Sequence, residues 1–95
     1  MKEDLLKIIN YYGVLAQTRK LSEESFELIE AIRFAEIGKG IDEKLIDHVA
    51  EEIADCYVVI EQFRQLYGIS NQTIREIMEF KINRTIRGID NENNG

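Results

Sequence analysis

Leu5, Ile8, Ile9 and Tyr12 recur at the spacing of one helix face, after an acidic first turn, Glu3-Asp4, that suits a helix N-terminus. This spacing predicts a first helix that ends or bends near Gly13. From about Val14 to Ile37 a longer pattern sets Leu21, Leu28, Ala31, Ile32 and Ala35 on one side and Glu23, Glu30 and Arg33 on the other, and it stops at Gly38-Lys39-Gly40. Asp42 can cap a third helix with a wide apolar stripe: Leu45, Ile46, Val49, Ile53, Cys56, Tyr57, Ile60, Phe63 and Tyr67. Gly68 closes it. Ser70 or Asn71 can cap a fourth helix carrying Ile74, Ile77, Met78, Ile82 and Ile86. With no proline, and with the glycines falling where periodicity breaks, the expected fold is all-α: one four-helix bundle over residues 1–88, followed by a flexible polar tail over residues 89–95.

Charged side chains normally take the solvated face of a helix, and four acids here depart from that rule. Seven residues return a helix to within roughly 20° of its starting direction, so Leu45 and Val59 bracket Glu52 almost in line with it. The same arithmetic aligns Glu24 with Gln17 and Ala31. Both carboxylates are expected to point inward. Glu27 and Asp55 each lie one turn further on and at the edge of the stripe, so each helix presents two acids to a common region. Glu23, Glu30, Glu51 and Glu61 fall on other faces.

Four carboxylates in a semi-buried space repel one another and lose hydration, so a cation is required. Oxygen ligands with no histidine or cysteine in register select Mg²⁺ or Mn²⁺ over Zn²⁺, and Mg²⁺ takes phosphate oxygens as further ligands. Phosphate chemistry follows, with Lys20, Lys81 and Arg84 as the candidate partners of a leaving pyrophosphate. The attacking water would lose its proton to Glu24, Glu27 or Glu52. Ser22 and Ser25 have no histidine in plausible register to activate them. His48 lies one turn before Glu52 and is either a donor behind the site or an uninvolved surface residue.

Composition bounds this reading. At 95 residues the chain is small enough that self-association would help bury its core. With 18 acidic and 12 basic residues and a net charge of −6, it repels a nucleic-acid backbone or an anionic membrane, while a nucleotide remains compatible with a local cation. The single cysteine, Cys56, reads as a buried reduced thiol, and no run approaches a membrane span or a signal peptide, so the expected compartment is the cytoplasm.

The run Lys20-Leu-Ser-Glu-Glu-Ser-Phe-Glu-Leu-Ile-Glu-Ala-Ile32, then Glu51-Glu-Ile-Ala-Asp55, then Lys81-Ile-Asn-Arg84, resembles the MazG-like family of the all-α NTP pyrophosphohydrolases over roughly residues 13 to 87. Glu24 and Glu27 match the first half of that family's E-x-x-E, gap, E-x-x-D pattern, and Glu52 and Asp55 match the second. The resemblance implies a homodimer or homotetramer that binds Mg²⁺ through these four acids and converts an NTP or dNTP to NMP and pyrophosphate, in a house-cleaning role. It also implies that Lys81 and Arg84 bind phosphate and that Gln17 and Lys20 line the substrate pocket. The chain has no tryptophan, which leaves base stacking to Tyr11, Tyr12, Phe26, Phe34, Tyr57 or another aromatic. Gly68-Ile69-Ser70 resembles a second family, phosphoribosyl-ATP pyrophosphohydrolase. A non-catalytic helical interaction protein is the alternative from another class.

Overall fold

The computed structural model describes residues 1–37 and 42–94, and these form four helices and no strand: α1 (Lys2–Tyr12), α2 (Val14–Ile37), α3 (Glu43–Leu66) and α4 (Asn71–Asn94). The all-α, four-helix fold expected from periodicity is the fold observed. The expected break at Gly38-Lys39-Gly40 lies outside the described residues.

The ends of the helices follow from local chemistry. Gly13 has φ +92°, a conformation side-chain-bearing residues rarely adopt, and its N–H closes α1 on the Ile9 carbonyl at 2.8 Å. Its own carbonyl accepts from Gln17 N at 3.1 Å, so α2 restarts across a single residue. Asp42 caps α3, its carboxylate accepting from Lys44 N at 2.9 Å. At the other end of α3, Gly68 adopts φ +66° and donates to the Gln65 carbonyl, while Ile69 N donates to the Arg64 carbonyl, which together form a Schellman closure. Arg64 reinforces it by donating from Nη1 to the Ile69 carbonyl at 2.7 Å and by a forked pair with Glu61. The hydrogen bond from Arg64 holds the Glu61 carboxyl below its ordinary range. Ser70 then caps α4 by accepting from Thr73 N at 3.0 Å.

Helices α2 and α3 pack most extensively, and α1 lies across both. The pairs Gln17 with Gln62 and Glu24 with Asp55 and Glu52 show that α2 and α3 run antiparallel. Ile9, Ala31, Cys56 and Val59 are the fully buried apolar residues, with Leu21, Leu28, Leu45, Val49, Ile53 and Phe63 half-buried around them. The stripe on α3 is wider than its neighbours cover: Ile46, Tyr57 and Ile60, expected inside, are exposed, as is Ile32 on α2.

Helix α4 packs against none of the other helices among the described residues and buries none of its own. Its expected apolar face is present, but Ile77, Met78, Ile82 and Ile86 are exposed. The Cα radius of gyration, 17.0 Å, exceeds the ~12 Å of a compact chain this long, as a projecting helix requires. The helix also continues through Gly88 and the polar run to Asn94, where the sequence pattern placed a tail. No described helix is long and apolar enough to cross a membrane.

Candidate metal centre

Glu24 and Glu52 project from facing helices into the α2–α3 interface and are 5% and 8% exposed. Charged residues are almost never this buried without partners. Glu24 Oε1 lies 3.0 Å from Lys20 Nζ, one turn earlier on α2, but its Oε2 has no partner. Glu52 Oε2 is likewise buried and unpartnered, and these two oxygens are the only buried side-chain atoms in that state among the described residues.

Asp55, exposed and one turn beyond Glu52, completes a trio whose ligand oxygens lie within 4.8 Å of one another. Oxygens on opposite sides of one Mg²⁺ lie about 4 Å apart, so the trio matches one hard cation with little adjustment of rotamers. Orphaned anionic oxygens and an all-oxygen donor set both fit such an ion. Glu27, the fourth expected ligand, is exposed and stands outside the trio. Asp55 holds the equivalent edge position on α3 and is exposed as well, so the packing of α2 on α3, and not the helical register, separates the two.

The electrostatics agree with the geometry. Burial, followed by the negative charges of Glu27 and Asp55, pushes the Glu52 carboxyl above its ordinary range, with His48 opposing. His48 Nδ1 is 3.9 Å from both Glu51 and Glu52 and half exposed, so it stands beside the centre at ion-pair distance. The hydrogen bond to Glu24, then its charge, pushes the Lys20 ammonium up, which keeps it protonated at the site. Cys56, one turn beyond Glu52 and buried, has its thiol raised first by burial and then by Glu24, which keeps it unreactive.

A cleft of about 660 Å³, within the range of small-molecule sites, opens beside the acids. Its lining includes Glu24, Asp55 and Lys20 together with Arg19, Gln17, Gln62 and Tyr12. Of the sequence-expected substrate residues, Gln17 and Lys20 are therefore at the cleft. Lys81 and Arg84 are not brought to it within one chain, because α4 projects away; Arg84 instead lies 5.8 Å over the ring of Phe80 on its own helix. Among the aromatics, Tyr12 alone lines the cleft.

Gln62, 1% exposed, is the buried cleft residue that periodicity did not single out. Its signal was available: it follows Asp55 at the same heptad interval by which Gln17 precedes Glu24. No family model matches this chain, and neither a curated protein nor a solved structure matches it.

Proposed function

We propose that this protein is a divalent-cation-dependent nucleoside triphosphate pyrophosphohydrolase: water adds at phosphorus, the α–β phosphoanhydride breaks, and NMP and pyrophosphate leave. The observation that supports it most is the pair of buried carboxylates, Glu24 and Glu52, each with an orphaned oxygen, grouped with Asp55 beside a ligand-sized cleft that Glu24 and Asp55 line. Glu24, Glu52 and Asp55 are the residues that would hold Mg²⁺, or Mn²⁺ in its place. When bound, the ion supplies charge neutralisation and polarises water for phosphate chemistry. Lys20, protonated and half exposed, offsets negative charge on the phosphates. Glu27 is outside the trio and exposed, and is the carboxylate left to take the proton from the attacking water.

Assembly into a homodimer or homotetramer goes with this reading. The bare apolar face of α4 supports it, and a second copy is the route by which Lys81 and Arg84 could reach the phosphates. That face alone fits a non-catalytic interaction protein equally well; the orphaned oxygens of Glu24 and Glu52 do not. The experiment is a panel of NTPs and dNTPs with Mg²⁺ or Mn²⁺, scored separately for pyrophosphate and orthophosphate. Pyrophosphate from at least one nucleotide, lost in Glu52→Gln, is expected. No release from any member of the panel would overturn the proposal.

A further inference from the structure

The amide Nε2 of Gln17 donates to Oε1 of Gln62 at 2.7 Å, across the α2–α3 interface, with both side chains more than nine-tenths buried. One hydrogen bond uses only a fraction of what two carboxamides can make: the carbonyl oxygen of Gln17 and the amino group of Gln62 remain. Both residues line the cleft, and neither unused amide atom is among the fully buried groups that lack a partner. On each helix the amide stands two turns from a carboxylate, Gln17 from Glu24 and Gln62 from Asp55, a distance of about 10 Å. The cleft therefore has a layer of carboxylates and a layer of amides, with the charged residues Arg19, Lys20 and Glu23 and the apolar residues Ala16, Val58 and Val59 in the rest of its lining.

We propose that the Gln17–Gln62 amide pair binds the nucleobase, so that one ligand spans the cleft from the carboxylate trio to the amides. This rests on the reading of the cleft as a nucleotide site. A free carbonyl beside a free amino group is the complement of a heterocycle edge that places an N–H next to an acceptor, and each nucleobase carries such an edge. The spacing of the layers matches a molecule with charge at one end, a neutral hydrogen-bonding ring at the other, and a sugar between. Tyr12 is the aromatic residue in the cleft lining and would cover one face of the ring. An apolar ligand would leave these amide atoms desolvated and unpaired, which disfavours it.

The test begins with ¹⁵N-labelled protein and free adenosine, guanosine, cytidine and uridine, without metal, followed at the side-chain amide resonances of Gln17 and Gln62. Saturable shifts of both amides with at least one nucleoside are expected, together with affinity weakened about tenfold or more in Gln62→Met and unchanged binding of Mg²⁺ alone. Amides that respond to no nucleoside would overturn the inference and leave the pair as a clasp between helices. So would pyrophosphate release by Gln62→Met with an unaltered KM. Nucleoside binding by a protein that released no pyrophosphate would sustain this inference while removing the proposed activity. The wild-type titration stands even if Gln62→Met fails to fold.

Discussion

Lys20 Nζ lies 3.0 Å from Oε1 of Glu24, one helical turn away, while the other oxygen of the same carboxylate is buried with no partner. One carboxylate thus divides between a half-exposed cation and a buried oxygen with no partner among the described residues. Replacing Lys20 with Met removes the cation and keeps its alkyl stem. Pyrophosphate release should fall by about tenfold or more through KM, since an interaction with a charged group typically contributes about 1.5–3 kcal/mol, and Mg²⁺ affinity should rise or hold. A loss of Mg²⁺ affinity measured by calorimetry would show that Lys20 supports the metal instead.

Glu52→Gln should stabilise the metal-free protein, because it deletes a buried charge repelled by Glu27 and Asp55. The same variant should lose the thermal stabilisation that Mg²⁺ gives the wild type. Thermal melts with and without Mg²⁺ measure both effects; a destabilised metal-free variant would contradict the burial argument.

Acidification should move stability in two directions. The Glu52 carboxyl is raised in the folded state, so its penalty is present above that raised value and disappears as pH falls toward the unfolded value. Glu61 is depressed by Arg64, so its contribution is present above the unfolded value and lost as pH falls through the depressed one. Denaturant midpoints from neutral pH downward should show a rise from Glu52 before a fall from Glu61. Glu52→Gln should abolish the first and Glu61→Gln should reduce the second.

Gly68→Ala should cost about 1 kcal/mol, since φ +66° places a Cβ in the left-handed region and no neighbouring atom stands within 4 Å to be repacked. A midpoint unchanged in equilibrium denaturation would mean that the α3–α4 turn relaxes freely.

Ile82→Asp on α4 should leave the folded core intact and shift the protein toward monomer. The residue touches no other helix among the described residues, and its face is the one proposed to meet a second copy. Light scattering on both proteins at matched concentration decides it; identical masses would discard that face as the interface.

The helix ends were legible because each rests on one residue with a local reason: Gly13 and Gly68 for positive φ, Asp42 and Ser70 for capping oxygens. Glu24 and Glu52 were legible because residues a heptad away, Ala31 and Val59, are themselves buried. Edge positions were less so. Asp55 and Glu27 occupy equivalent places in the pattern, yet only Asp55 joins the trio, and that difference depends on how α2 and α3 pack and not on either helix alone. Periodicity located the α4 stripe but could not say what covers it. Gly88 read as a stop and instead sits inside α4, since a single glycine weakens a helix by about 1 kcal/mol without ending it.

A helix that draws no protection from its own chain sets a kinetic signature. Backbone amides of α4 have only the helix–coil equilibrium to shield them from solvent deuterium, whereas those near Ile9, Ala31 and Cys56 exchange only when the three-helix core opens. The proposed contact of α4 with a second copy predicts that deuterium uptake in α4 slows as protein concentration rises, while uptake in the core follows a separate rate. On that proposal, the fourth helix would act as a built-in gauge of the protein's own concentration.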